Sequence, residues 1–172
     1  VERLQRFRES IKDYPTALKA LDLAIIAHEG QHRREIFTTP CGRHLKEDYI
    51  NHPLRIAIKV RDALRTRADE ICNPNWSRDQ QIAIALLHDT IEDGHVTEES
   101  LTANGFSPFV VCGVVVLTRK PGQTYYDYVM GIPSRYHQIK LYDLEDNLVD
   151  LEEGSLKDKY RFAQHYLIGC QG

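Results

Sequence analysis

The chain has 172 residues, a formal net charge of −3 at pH 7, 42% hydrophobic residues and 27% charged residues. These values are ordinary for a globular protein, and the length predicts one domain over residues 1–172 with its own apolar core. The composition has no basic excess of the kind that binds nucleic acid, and no apolar run is long enough to cross a bilayer.

The four cysteines are widely spaced, which argues against both a disulfide framework and a zinc ribbon. Cys112 lies in an apolar run, so we expect its thiol to be buried. The chain opens with no signal-peptide pattern, and together with unpaired cysteines this predicts a cytoplasmic protein.

Apolar residues recur at helical spacing through most of the chain, so the predicted fold class is all-α. Pro15 suits the first turn of a helix that continues towards residues 29–34, and residues 38–48 are predicted to form a long loop. The next helix is expected to start near Asn51 and to run towards Asp69.

The second half of the chain continues this helical pattern. Ser77 is expected to cap a helix that reaches His88 and extends slightly beyond it. The valine-rich residues 107–117 fit a strand or a helix, and we favour a buried helix because no partner strand is evident. Further helices are predicted at residues 97–104 and 125–130, from Ser134 to Leu148, and from Ser155 onwards.

Four residues in or beside apolar helical segments have the chemistry of metal ligands. His88 and Asp89 directly follow the apolar run 82–87, while His52 begins one helix and Asp143 interrupts another. Burying a carboxylate beside an imidazole costs free energy unless a metal or a partner compensates. Two imidazoles and two carboxylates make a mixed nitrogen and oxygen site, which suits Mn²⁺, Fe²⁺ or Zn²⁺.

Two acids follow the His-Asp pair. Glu92 lies four residues after His88, so it would face the same side of a continued helix and could transfer a proton. Asp93 beside it could orient water or relay the proton. Because a bound cation would ionise water for attack on a phosphorus centre, these residues predict a metal-dependent hydrolase.

The motifs resemble those of a known family. His52, His88-Asp89 and Asp143 match the H…HD…D pattern of HD-domain phosphohydrolases. The match is closer to the hydrolase domain of the RelA/SpoT homologues, including short stand-alone hydrolases. Residues 27–34, 49–54, 85–93 and 139–147 resemble, in this order, A-H-x-G-Q-x-R-[KR], Y-I-x-H-P-L, A-L-L-H-D-V-V-E-D and V-K-L-A-D-R-L-H-N. The resemblance extends over about residues 20–150.

This resemblance implies a helical HD-domain bundle and Mn²⁺-dependent removal of the 3′-pyrophosphate from ppGpp or pppGpp, the stringent-response alarmones. It implies a small nucleotide as partner, without nucleic acid or membrane, and leaves a homo-oligomer open. It distributes the site residues over three roles: metal binding by His52, His88, Asp89 and Asp143; catalysis by Glu92 and Asp93; substrate binding by Arg33, Arg34 and Asn147.

The sequence departs from the family pattern at three places near the expected site. Residues 35–48 are longer than the family's short S-G-x-P-Y turn, and we hypothesise that this loop sets specificity. Asp146 replaces the usual His, and Asp150 stands where a Thr often lies. An acid close to a polyphosphate is unfavourable unless its side chain points away.

Other functions are compatible with the sequence. A similar hydrolase could act on another nucleotide, for example by removing the 2′-phosphate of NADPH. The chain could also be a non-catalytic nucleotide sensor or a fragment of a larger synthetase/hydrolase, although binding alone does not need the Glu92-Asp93 pair. Arg119, Lys120 and Tyr128 could reach phosphates, but the spacing of Tyr125 and Tyr128 is more typical of core packing.

One rival motif overlaps the first block. Residues 28–32 fit H-E-x-x-H, in which His28 and His32 would bind Zn²⁺ and Glu29 would be the general base of a protease. Gly30 weakens the required helix by about 1 kcal/mol. The same letters fit the A-H-x-G-Q-x-R block, which the other three blocks support, so we favour that interpretation.

Overall fold

The computed structural model describes residues 2–33, 37–38, 44–66, 77–92, 96–149 and 151–170. Within these it has nine helices: α1 (Glu2–Ser10), α2 (Pro15–Ala27), α3 (Asn51–Thr66), α4 (Arg78–Leu87), α5 (Glu98–Ala103), α6 (Pro108–Leu117), α7 (Tyr125–Met130), α8 (Ser134–Val149) and α9 (Ser155–Gly169). The predicted all-α class is therefore confirmed. The segment predicted as a loop contributes two short antiparallel strands, β1 (Phe37–Thr38) and β2 (His44–Leu45).

Helix α4 is the centre of the core. Residues 81–87 are all buried, because α2, α3 and α6 pack around the helix and leave it no solvent face. The helix begins with a capping box in which Ser77 and Gln80 satisfy each other's backbone N–H groups. Asp79 accepts hydrogen bonds from the backbone N–H groups of Thr16 and Ala17, at 3.1 and 2.7 Å, and so fixes the start of α2 against α4.

Helix α4 ends at Leu87, and residues 88–92 form a turn. The prediction that this helix continues beyond His88 was therefore wrong. The hydroxyl and the backbone N–H of Thr90 both donate to the carbonyl of Leu87, at 2.7 and 3.0 Å, and these bonds replace the helical pattern.

The valine-rich segment is helix α6, as favoured, and it crosses α4 closely at Gly113. A Cβ added to Gly113 would lie 2.5 Å from Cδ1 of Ile84, so only glycine fits this crossing as it stands. Cys112 is exposed, and the expectation of a buried thiol was wrong. The helical period turns its neighbours Val111 and Gly113 inward and leaves position 112 on the outer face.

The remaining helices complete the bundle around this core. Helix α8 packs against α3 and α9, and α7 packs against α9. None of the helices in the described ranges is both long enough and apolar enough to span a membrane.

Candidate metal centre and adjoining cavity

The packing of three helices brings the predicted metal ligands together. His52 lies in the first turn of α3, His88 and Asp89 directly follow α4, and Asp143 lies in the middle of α8. Because α3 packs against both α4 and α8, these side chains converge although they are up to 91 residues apart in sequence. One ligand atom from each residue lies within 4.8 Å of all the others; we call this group the metal cluster, formed by His52, His88, Asp89 and Asp143.

The separations inside the metal cluster match those around a single cation. Nε2 of His52 lies 3.1 Å from Oδ1 of Asp143 and 3.4 Å from Oδ2 of Asp89. Nε2 of His88 lies 3.2 Å from Oδ1 of Asp89. Ligands at about 2.0–2.2 Å from one ion stand about 3.0–3.5 Å apart in tetrahedral or octahedral geometry.

A buried nitrogen without a hydrogen bond also favours an ion. Nδ1 of His88 lies 2.9 Å from the carbonyl oxygen of Ala85, to which it donates, so in the neutral imidazole Nε2 carries the lone pair. This Nε2 is buried and has no hydrogen-bond partner among the described residues. An unsatisfied buried nitrogen is costly, and a cation would satisfy it. The donor set therefore fits a divalent transition metal.

The charges of the metal cluster stabilise one another. Burial alone would raise the pKa of Asp143, but Lys140 and the two imidazoles hold it well below its ordinary value. Burial alone would lower the pKa of His88, but Asp89 and Asp143 raise it to about 9. Both carboxylates are thus anionic ligands, and a bound cation would take over the charge compensation that imidazole protons provide.

Neighbouring side chains orient the two carboxylates. The Tyr49 hydroxyl donates to Oδ2 of Asp89 at 2.8 Å. Lys140 donates to Oδ2 of Asp143 at 2.6 Å, and the amide of Asn147 donates to Oδ1 of the same group, also at 2.6 Å. These bonds fix the carboxylates without reliance on solvent, as is usual around protein metal sites.

A cavity of about 260 Å³ opens beside the metal cluster, with Asp89 and Asp143 in its wall. Its lining is unusually cationic and phenolic: Arg119, Lys140, Lys159, Tyr125, Tyr128 and Tyr160. The ammonium of Lys159 lies 4.4 Å from the ring centre of Tyr125. The hydroxyl of Tyr125 is buried without a hydrogen-bond partner in the described part of the chain, so it is a donor available to a ligand. Such a lining suits an anionic, oxygen-rich group.

Glu92 lines the same cavity as Asp89. The sequence predicted that a continued helix would bring Glu92 to the side of His88. This was wrong in detail, since residues 88–92 form a turn. The tight turn nevertheless brings its carboxylate towards the metal cluster. Burial raises the pKa of Glu92, and the charge of Asp89 raises it further, which is the direction expected for a group that exchanges protons.

The predicted substrate-binding residues lie in different places. Asn147 lines the cavity. The guanidinium of Arg33 is largely buried and donates to Asp146 and Asn147, at 2.7 Å each, so the predicted contact with a nucleotide base stays a prediction. Arg34, the catalytic candidate Asp93 and Asp150 lie outside the described residues, as do residues 35–36 and 39–43 of the long loop.

The rival protease motif does not form the helix that it requires. Helix α2 ends at Ala27, and Gly30 adopts a positive φ of 74°. His28 is buried and contacts Gln31 through Nδ1, whereas His32 is exposed and pairs with Asp48. Residues 28–32 therefore lack the helical register that places the two imidazoles on one ion.

Sequence reasoning missed several residues around the site. Lys140 could have been found, because it lies three positions before Asp143 on one face of a helix. Arg55, Lys159 and Tyr160 had no local signal, since each meets the site through tertiary packing. Tyr49 is part of the Y-I-x-H-P-L block, but no role was predicted for it. The role of Tyr128 is structural, because its hydroxyl donates to the carbonyl of Leu117.

Comparison with known proteins gives a match at the level of fold. No family model matches the sequence, and no curated protein matches it either. Among solved structures, the chain is similar to a metazoan ortholog of SpoT, a protein that hydrolyzes ppGpp and plays a role in starvation responses. The TM-score is 0.57 with 19% sequence identity, over 91% of this chain and 96% of the other. The chain thus has the all-α HD-domain fold that the sequence motifs implied.

Proposed function

We propose that this protein is a metal-dependent phosphohydrolase that removes the 3′-pyrophosphate from ppGpp or pppGpp. The observation that carries the proposal is the joint position of the metal cluster and a cavity with a cationic wall. A metal site alone would fit many activities, and a cationic cavity alone would fit simple anion binding. The metal cluster and the cavity meet at Asp89 and Asp143. A phosphate ester bound in the cavity would therefore lie beside the metal that promotes its hydrolysis.

In this proposal His52, His88, Asp89 and Asp143 hold a divalent cation, with Mn²⁺ as the first choice and Fe²⁺ or Zn²⁺ as alternatives. When bound, such an ion supplies Lewis acidity, which lowers the pKa of water and offsets charge on a phosphoryl group. Lys140 and Tyr49 keep the carboxylates in position before the substrate arrives.

Glu92 is proposed to take the proton of the attacking water, and Asp93 to assist it. The water oxygen forms a bond to the 3′-linked phosphorus, and the bond from that phosphorus to the 3′ oxygen breaks. Pyrophosphate leaves, and the 3′ oxygen gains a proton. A carboxylate with a raised pKa suits this role because it accepts a proton more readily than an ordinary carboxylate and can return it.

The cavity wall is proposed to hold the substrate's phosphates. Arg119 and Lys159 form no direct ion pair among the described residues, and the charge of Arg119 acts on Glu92 in the same wall. The unpartnered hydroxyl of Tyr125 adds a neutral donor, and Asn147, which lines the cavity, is proposed to contact ribose or phosphate. The likeness in fold to a protein that hydrolyzes ppGpp supports the alarmone as the first substrate to test.

The decisive experiment measures pyrophosphate release from ppGpp by the Mn²⁺-loaded protein, with EDTA and an Asp89→Ala variant as controls. Release that both controls abolish would support the alarmone activity. If folded, Mn²⁺-loaded protein releases nothing, the alarmone proposal is wrong, and phosphate release from NADPH becomes the next assay. Binding of ppGpp without turnover would favour a sensor.

A further inference from the structure

We infer that Asp146 is a positioning residue for the metal ligand His52, held in place by Arg55 and Arg33. This inference rests on the proposed function, because it assumes that His52 binds an ion through Nε2. It also accounts for Asp146, one of the residues at which the sequence departs from the family pattern near the site.

The first step is the contact between the imidazole and the carboxylate. Nδ1 of His52 lies 2.7 Å from Oδ2 of Asp146, and both side chains are buried. On the other side of the ring, Nε2 lies 3.1 Å from Oδ1 of Asp143. When Nδ1–H donates to Asp146, the lone pair of Nε2 points into the metal cluster, and the carboxylate increases the basicity of the ring.

The second step is the fixed orientation of Asp146 itself. Arg55 donates through Nε to Oδ1 at 2.6 Å and through a terminal nitrogen to Oδ2 at 2.8 Å, which is the bidentate geometry of a strong ion pair. Arg33 donates to Oδ2 at 2.7 Å. Both carboxylate oxygens of Asp146 therefore accept hydrogen bonds from arginines, behind the His52 ring as seen from the metal cluster. Asp146 is not part of the cavity lining, so it points away from any polyphosphate bound there.

The third step is the balance of charge. Arg55 also donates to Glu47 at 2.5 Å, so two guanidinium groups, those of Arg55 and Arg33, face two carboxylates beside His52. Two guanidinium groups thus compensate the charge of the buried Asp146 carboxylate and hold it in one orientation.

The two imidazoles of the metal cluster are consequently oriented by different acceptors. His88 donates to a neutral backbone carbonyl, that of Ala85, whereas His52 donates to an anion. The same contacts give Arg33 a role in bracing Asp146.

The test compares Zn²⁺ and Mn²⁺ affinity of the wild-type protein with that of Asp146→Asn, by calorimetry. We expect affinity to fall by about 10- to 100-fold, with the unfolding temperature in EDTA recorded as a measure of fold. Glu47→Gln is the matched control, because it removes a carboxylate from the same network without touching His52, and we expect less than about a threefold change in affinity. Wild-type affinity in folded Asp146→Asn would overturn the inference.

A second measurement needs no variant. In the Zn²⁺-loaded wild-type protein, long-range ¹H–¹⁵N spectra should show a proton on Nδ1 of His52 and none on Nε2. Coordination through Nδ1 would overturn the inference even if Asp146→Asn does not fold. Absence of Zn²⁺ and Mn²⁺ binding by the wild type would instead contradict the metal centre of the proposed function, so the two failures are distinguishable.

Discussion

The metal cluster and the wall of the adjoining cavity are built on opposite principles. The cluster is buried, and its charges are matched by fixed partners: Lys140 against Asp143, and Arg55 against Asp146 beside His52. The cavity wall carries Arg119 and Lys159 with no such partner in the lining, together with an unpartnered hydroxyl at Tyr125. The comparison indicates that the cluster is organised before any ligand arrives, whereas the wall is completed by an anionic ligand. Variants in the two regions should therefore fail in different ways.

The largest effect is expected for Asp89→Ala. Loss of one anionic ligand should lower kcat/KM by about 10³-fold, since a metal contributes several kcal/mol of transition-state stabilisation. It should also remove the rise in unfolding temperature that Mn²⁺ gives the wild-type protein. Calorimetry in parallel with the pyrophosphate assay measures both. A variant that still binds Mn²⁺ with wild-type affinity would show that Asp89 is not a ligand.

A smaller loss of activity is expected for Glu92→Gln. Glu92 lines the cavity together with Asp89 of the metal cluster. The amide cannot accept a proton, so kcat should fall by about 10²-fold or more while Mn²⁺ affinity stays unchanged. In the wild type, activity should fall as the pH is lowered through the raised pKa of Glu92, because only the ionised carboxylate can act as a base. Glu98→Gln, an exposed acid at the start of α5, serves as the control. Equal kcat in wild type and Glu92→Gln would exclude this carboxylate as the base.

The cavity wall is tested by Arg119→Ala against Lys120→Ala. The two residues are neighbours and lose the same charge, but only Arg119 lines the cavity. We expect KM for ppGpp to rise about tenfold in Arg119→Ala, from the loss of a charge-assisted hydrogen bond, with little change in Lys120→Ala. Ion affinity should be unchanged in both. Equal effects of the two substitutions would indicate general electrostatic attraction instead of a specific contact.

The smallest effect on activity is expected for Gly113→Ala. This substitution tests how far the metal cluster depends on the packing of α6 against α4. The added methyl meets Ile84 on α4, the helix that His88 and Asp89 directly follow, so the free energy of unfolding should fall by about 1–3 kcal/mol. Chemical denaturation measures this change, and activity below the unfolding transition should remain. Gly169→Ala, at the end of α9, is the control because a Cβ there meets nothing within 4 Å. A large loss of activity in a folded Gly113→Ala would show that the cluster is less rigid than its contacts indicate.

Local patterns in the sequence were sufficient for the helices and for the four residues of the metal cluster. The predicted starts of four helices are confirmed: α2 at Pro15, α3 at Asn51, α6 at Pro108 and α7 at Tyr125. Helix starts are predictable because caps and prolines act on their own neighbours in the sequence. The end of α4 was missed because Thr90 competes for the carbonyl of Leu87, and propensity does not reveal which bond prevails. Cys112 was misplaced because an all-apolar run does not show which face meets the core.

By itself, the sequence determined the helical class and the His and Asp residues able to bind a metal, because periodicity and donor chemistry are properties of short segments. Only the tertiary structure decided how those residues are used. It placed Asp146 behind His52, turned Arg33 towards Asp146, and brought Lys159 of α9 to the cavity. These contacts join residues 94 and 113 positions apart in the first two cases. Such pairings depend on helix packing across the whole bundle, which no local pattern encodes.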